Sequence, residues 1–223
     1  MANLPLLLGH RGARASADVA ENTFASFDLA LGHGCDGFEF DVRLAGFGSA
    51  LVCHDEKVGK ITVAEARAGQ LSGLPRLEEV VQRYGKRAFL DIELKVADLA
   101  SSVFATLNQY PPERGHVVSS FLPDVVLDLK TRSALVSLGI ICETGDQLSS
   151  WPKLPVDFVI VHHHLADEEL VRKVQGAGLK ILVWTVNDPQ AMLRFAALGV
   201  DGIISDETDL MVRTLRRSQA SSA

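Results

Sequence analysis

Short runs of β-branched and aliphatic residues alternate along the chain with stretches whose apolar positions recur every three to four residues. The runs predict strands at Leu6–His10, Gly37–Arg43, Ala88–Leu94, Val117–Phe121, Leu138–Cys142, Phe158–His162, Lys180–Val186 and Gly202–Ser205. The stretches between them predict helices at Thr23–His33, Leu77–Tyr84, Leu99–Gln109, Asp124–Thr131, Asp167–Gln175 and Pro189–Leu198. In the first of these Phe24, Phe27 and Leu31 fall on one face, and in the last Met192, Leu193 and Phe195 do. The strands are apolar on both faces, as strands are when helices cover the outside of a sheet. Eight strands joined by helical segments indicate a parallel (β/α)8 TIM barrel of the α/β class.

One run breaks the count. Ala50–His54 follows the second barrel strand after only Ala45-Gly46-Phe47-Gly48-Ser49. A parallel crossover needs roughly a dozen residues or more, so this run folds back antiparallel as a hairpin at the barrel rim. Such a hairpin returns His54 toward the barrel mouth. The Pro- and Ser-containing stretch before Phe158 reads as irregular, and the polar tail from Arg213 to Ala223 reads as frayed.

A chain of 223 residues with 47% hydrophobic content suits one barrel-sized domain, residues 1–223, better than two. The net charge of −6 is spread along the chain without a Lys/Arg cluster, which argues against a nucleic-acid partner. No apolar run approaches the ~20 residues of a membrane span. The opening Met1 to Leu8 lacks a basic start and a small-residue cleavage site, so it reads as a first buried strand rather than a signal segment. Cys35, Cys53 and Cys142 are odd in number and far apart, without a CxxC pair. They fit buried free thiols in a reducing compartment, and a cytoplasmic location is expected.

In a barrel of this kind the active site lies where the strands end at the C-terminal face. His10 and Arg11 finish the first strand. Glu39 and Asp41 lie two apart in the second, so both side chains share a face, while Phe38 and Phe40 point toward helices. Asp91, Glu93 and Lys95 alternate in the same way. If these faces point inward, Glu39, Asp41 and Glu93 converge. Three carboxylates that close repel one another unless a cation is present, and oxygen-only ligands call for a hard divalent ion, Mg²⁺ or Ca²⁺. Arg11 and Lys95 would add positive charge for a phosphate ester, and two histidines would move protons, since imidazole titrates near neutrality. Singly, each feature has an ordinary structural reading. Asp91 in particular fits an internal salt-bridge ladder with Glu93 and Lys95. His54 beside Cys53 could be core.

The ordered motifs Gly9-His10-Arg11-Gly12, Glu21-Asn22-Thr23, Glu39-Phe40-Asp41-Val42, Val52-Cys53-His54-Asp55 and Ile92-Glu93-Leu94-Lys95 resemble those of glycerophosphodiester phosphodiesterases. Ser119-Ser120-Phe121, Trp184-Thr185-Val186-Asn187 and Asp201-Gly202-Ile203-Ile204-Ser205-Asp206 resemble that family's C-terminal signatures. The resemblance spans residues 6 to 206. It implies one divalent cation held by Glu39, Asp41 and Glu93, His10 and His54 as the acid–base pair, and Arg11 and Lys95 on the substrate phosphate. The implied reaction converts a small-molecule glycerophosphodiester to glycerol 3-phosphate and an alcohol, by a route compatible with a cyclic phosphate that water then opens.

Around that core, Trp184 is expected as an apolar wall for the glycerol carbons. Glu21 either orients Arg11 or His10 from behind or faces solvent. Asn22 and Thr23 are expected to cap the first helix, and Ser119 and Ser120 to hydrogen-bond at the rim. Of His162, His163 and His164 only one can reach the mouth, because neighbouring strand residues face opposite ways; the others read as solvated loop residues. The chain departs from many relatives in its short segment after the second catalytic His, Glu56 to Leu74, which lacks a threonine-rich stretch. An exposed apolar groove around Phe47 and Leu74 would favour a lysophospholipase D-type reaction on a larger lipid diester. A barrel that binds a phosphorylated ligand without turnover is the alternative outside enzymology.

Overall fold

The computed structural model describes residues 4–133 and 136–220. Its strands are β1 (Leu6–Gly9), β2 (Gly37–Leu44), β3 (Ala50–Val52), β4 (Lys57–Val58), β5 (Ile61–Thr62), β6 (Phe89–Leu94), β7 (His116–Ser120), β8 (Leu138–Cys142), β9 (Phe158–His162), β10 (Lys180–Trp184) and β11 (Gly202–Ser205). The α-helices are α1 (Phe24–His33), α2 (Leu77–Tyr84), α3 (Ala100–Gln109), α4 (Pro123–Arg132), α5 (Gly145–Ser150), α6 (Glu168–Gly176), α7 (Pro189–Leu198) and α8 (Thr208–Ala220).

Eight of the strands run parallel in the order β1-β2-β6-β7-β8-β9-β10-β11, and β11 pairs with β1 to close the barrel. β3 lies antiparallel on β2, with Val42 opposite Val52 and Leu44 opposite Ala50. This is the hairpin strand expected after the second barrel strand. Closure leaves no open edge on the parallel sheet except where β3 branches from it.

The period-2 alternation sorts side chains into two layers. Leu7, Phe38, Phe40, Val118 and Val183 point outward into the main core beneath the helices. There Phe27 of α1 stacks on Phe38 with ring centroids 4.2 Å apart. Leu8, Val117, Phe158, Ile160, Leu182 and Ile204 fill the interior. Toward the C-terminal ends of β2, β6 and β7 the inward positions become polar: Glu39, Asp41, Asp91, Glu93 and Ser119, all buried.

Two elements differ from the sequence reading. The segment after Cys142, expected to be irregular, carries α5 and a 3-10 turn at Trp151–Lys153. Thr144 caps α5 through a capping box with Gln147, which satisfies free N–H groups at the helix start, and Trp151 is buried against the main core. The helix α8 extends through Ala220, over most of the stretch read as a tail; positions 221–223 lie outside the described residues. Met211 and Leu215 are buried, and Arg213 pairs with Asp209 one turn earlier.

The segment after His54 folds over a small core of its own, with Ala45, Leu51, Cys53, Val63, Ala66 and Leu71 buried together. Among the described residues no helix is long and apolar enough to cross a membrane. Cys35, Cys53 and Cys142 are free and buried.

Candidate active site

The turn after β1 is forced by close packing. Arg11 and Gly12 both adopt positive φ, 51° and 83°. A Cβ on Gly12 would sit 2.2 Å from Ser26 Oγ and 2.7 Å from the Ser26 backbone carbon, so only glycine fits against α1. Ser26 Oγ donates to the Arg11 carbonyl at 2.8 Å, and the Arg11 N–H donates to Glu39 Oε2 at 2.8 Å. The same turn thus aims His10 and Arg11 at the mouth and fixes the first carboxylate.

The register of β2 against β6 places Glu39 beside Asp91 and Asp41 beside Glu93. Ligand-capable oxygens of Glu39, Asp41 and Glu93 lie within 4.8 Å of one another. The rear oxygens are anchored: Glu39 Oε2 by Arg11, and Asp41 Oδ2 by Asn22 Nδ2 at 2.8 Å. Among the described residues Glu39 Oε1 is buried with no hydrogen-bond partner, and Asp41 Oδ1 and Glu93 Oε1 are buried beside the Lys95 ammonium. One ammonium does not neutralise three converging buried carboxylates, and a hard cation shared among them would. The donor set therefore fits Mg²⁺ or Ca²⁺.

Electrostatics point the same way. Burial, then the charges of Asp41 and Glu93, hold the Glu39 carboxyl well above its ordinary range. Burial and Asp41 push Glu93 up to about 7, and burial pushes Asp91 up to about 7 against the Ser119 hydrogen bond. Lys95 Nζ ion-pairs with Glu93 and lies 3.4 Å from Asp41 Oδ1; these carboxylates outweigh its burial and raise its pKa. Arg11 pairs with Glu21 at 2.8 Å and approaches Asp41 at 3.3 Å.

His10 sits at the edge of this cluster, its Nε2 3.9 Å from Glu39 Oε2. Its Nδ1 meets Asp206 Oδ1 at 2.7 Å. Burial opposes ionisation of Asp206, but bonds from His10 and Asn187 win and bring it down to about 2. An ionised carboxylate only accepts, so His10 Nδ1 donates and Nε2 is left free. His54 is arranged likewise, its Nδ1 2.8 Å from Asp55 Oδ1, while Arg43 Nε donates to the His54 carbonyl at 2.7 Å.

His10, Arg11, Glu39, His54, Glu93, Lys95 and Trp184 line one cavity of about 380 Å³, and Asp41 lies beneath it. Trp184 packs edge to face on Phe121 at 5.6 Å. All nine residues singled out from the sequence lie in or directly behind this site, Glu21 included.

Several details differ from the sequence reading. Thr23 caps α1, but Asn22 turns inward, accepts from the Asp41 N–H and donates to its carboxylate. Its φ of 57° is what turns it away from the helix. Among the described residues Asp91 joins no salt-bridge ladder; Ser119 Oγ donates to it at 2.6 Å. Ser120 donates to the Leu94 carbonyl. The three histidines follow the expected alternation: His162 is half-buried against Trp184 at 5.1 Å and the other two are exposed. Phe47 and Leu74, whose exposure would favour a larger lipid diester, instead pack on the small core after His54. Asp206, Asn187, Phe121 and Glu143 also reach the site, without a local pattern that marks a role for them in the sequence. For Asp206 the signal was topological: in a closed barrel the last strand ends beside the first.

The sequence matches the model of the Glycerophosphoryl diester phosphodiesterase family over residues 10–111 and 74–210. It is 28% identical over 246 residues to a glycerophosphodiester phosphodiesterase of Caldanaerobacter subterraneus, an alignment covering 95% of this chain and 98% of that one. Among solved structures, a glycerophosphodiester phosphodiesterase from Thermotoga maritima superposes with a TM-score of 0.80 at 26% identity, covering 96% of this chain and 99% of that chain. An Oleispira antarctica phosphodiesterase, solved with the product sn-glycerol-3-phosphate, shares the fold with a TM-score of 0.84 at 23% identity, covering 96% and 97%.

Proposed function

This chain belongs to the glycerophosphoryl diester phosphodiesterase family, and from that membership we propose that it hydrolyses glycerophosphodiesters to glycerol 3-phosphate and an alcohol through the cavity described above. The observation that carries the reading is the convergence of buried carboxylate oxygens of Glu39, Asp41 and Glu93 within 4.8 Å of one another, beside two imidazoles with free Nε2 atoms.

In this reading Glu39, Asp41 and Glu93 hold one Mg²⁺ or Ca²⁺. When bound, such an ion withdraws electron density from a phosphoryl oxygen and offsets the charge that builds there. Arg11 and Lys95 bind the phosphate. Glu21 fixes the Arg11 guanidinium at 2.8 Å, so the fork is oriented before substrate arrives. One of His10 and His54 takes the proton of the attacking oxygen through Nε2, and the other returns a proton to the departing alkoxide. Asp206 holds His10 in the tautomer that this duty needs. Trp184 supplies an apolar wall for the glycerol carbons. The attacking oxygen can be the glycerol hydroxyl, giving a cyclic phosphate that water opens, or water directly. Trapping of a cyclic product with a slow variant distinguishes the two. A cytoplasmic location belongs to the same reading, supported by the three free, buried thiols.

The test is release of glycerol 3-phosphate from a glycerophosphodiester, stopped by a chelator and restored by adding Mg²⁺ or Ca²⁺. Metal-dependent binding of the diester without turnover would leave only the non-catalytic barrel.

A further inference from the structure

Strand residues two apart share a face, so Arg43 follows Glu39 and Asp41 along one side of β2. Glu39 and Asp41 lie where β2 pairs with β6 inside the barrel. Arg43 lies where the strand runs on past that pairing and meets β3, opposite Leu51. It is half-buried, and among the described residues its guanidinium enters no ion pair. It lines a separate hollow of about 270 Å³ with Glu56, Val63 and Val96 rather than the active-site cavity. Its one printed polar contact is with the backbone of His54, where Nε donates to the carbonyl at 2.7 Å.

That contact falls at a weak point of the chain. β3 ends at Val52, and the Cys53 N–H still donates to the Asp41 carbonyl at 3.0 Å. The next backbone tie is the Glu56 carbonyl, which accepts from the Val63 N–H at 2.9 Å. His54 sits between the two. The partner of its ring, Asp55, has a side chain 79% exposed, and the His54 side chain is 33% exposed, so solvent competes for that pair. His10 differs, because its ring meets a carboxylate only 14% exposed, Asp206. One imidazole is thus fixed through its ring and the other through its main chain, by a charge-assisted bond from Arg43. We infer that Arg43 is the positioning residue for His54, tying its backbone to the strand that carries Glu39 and Asp41 and so setting where the second imidazole stands relative to the carboxylate cluster. This role rests on the hydrolytic reading above, in which His54 moves a proton.

Arg43→Met keeps most of the stem and removes the donor, so it cuts the tether without opening a large hole. With Mg²⁺ present and glycerophosphocholine as substrate, kcat should fall about tenfold with KM little changed, as when a catalytic group is misplaced rather than lost. In a His54→Ala background the same substitution should cost less than about twofold, because groups that act as a unit are not additive. Arg43→Lys, which retains a cationic donor, should recover part of the loss. Affinity for Mg²⁺, read by calorimetry, should be undiminished in Arg43→Met, since Glu39, Asp41 and Glu93 are untouched. An unchanged kcat, a loss that persists in full without His54, or a loss matched by weaker ion binding overturns the assignment. If the wild type releases no glycerol 3-phosphate, the hydrolytic reading fails, and the imidazole ¹H–¹⁵N spectrum decides the tether. Signals of His54, identified by their absence in His54→Ala, that shift in Arg43→Met while those of His10 stay in place support it; unmoved signals overturn it.

Discussion

Asp206 Oδ1 lies 2.7 Å from Nδ1 of His10, across the seam where the last barrel strand meets the first. Residues 196 apart in the chain are joined because barrel closure puts Ser205 beside Gly9. The contact decides which imidazole nitrogen is free. Asp206→Asn replaces an acceptor-only carboxylate with an amide that can also donate, and so lets His10 adopt the other tautomer. The expected result is a fall in kcat of at least about tenfold with KM little changed, together with a displaced pH–rate profile. A matched loss in KM alone would assign Asp206 to substrate binding instead.

The two imidazoles should be separately necessary. His10→Ala and His54→Ala are each expected to lower kcat by about 10²-fold or more, as loss of a general acid or base does. His54 is a third exposed at the rim, so His54→Ala should keep the wild-type melting behaviour, whereas His10→Ala leaves Asp206 without its imidazole partner and should melt lower with unchanged circular dichroism. Near-wild-type turnover in His10→Ala would falsify the acid–base assignment.

Much of this was legible in the chain itself. The short apolar runs named all eight barrel strands, because strands covered on both sides are almost wholly apolar and stand out. Glu39 and Asp41 were readable as inward because Phe38 and Phe40, between and before them, had to face the helices. What stayed hidden depended on pairings between distant segments. Asn22 reads locally as a helix cap, and only the approach of β2 shows it holding Asp41. The helix α5 carried its own signal, Thr144 followed three residues later by Gln147, but it is short, polar and followed by Pro152. Met211 and Leu215 in α8 are spaced as on one helix face, yet the charges around them mask the pattern.

The carboxylate cluster should make stability depend on both pH and metal. Burial pushes the Asp91 and Glu93 carboxyls up to about 7 in the fold, from ordinary values of 3.8 and 4.5. Between those limits the folded chain holds more protons than the unfolded one, so these groups make stability fall as pH rises from about 4 to about 7. In chelator, the melting temperature should decline across that window, and Mg²⁺ or Ca²⁺ should recover it most at the upper end. Thermal melts at several pH values, with and without the ion, check the sign. A metal-free chain whose stability rises with pH through the same window would contradict it.

Gly37 begins the strand that carries Glu39 and Asp41. A Cβ there would lie 1.9 Å from the Phe89 carbonyl oxygen, a backbone atom that cannot swing aside. Gly37→Ala must wedge β2 from β6 at the pair that sets the carboxylate register. Urea denaturation should show a loss of about 1–3 kcal/mol or more, the usual cost of overpacking a tight interior. The weakened ion affinity that follows from a disturbed register should accompany it.

Titration calorimetry of the chelator-treated protein with Mg²⁺ or Ca²⁺ probes the shared ion most directly. One ion per chain is expected near pH 7.5, with proton release on binding and weaker binding below about pH 7, where Glu93 gains its proton. Glu39→Gln, Asp41→Asn and Glu93→Gln should each weaken that event by about tenfold or more. Binding that is absent in the wild type, or that survives undiminished in all three variants, would contradict a single cation held between β2 and β6.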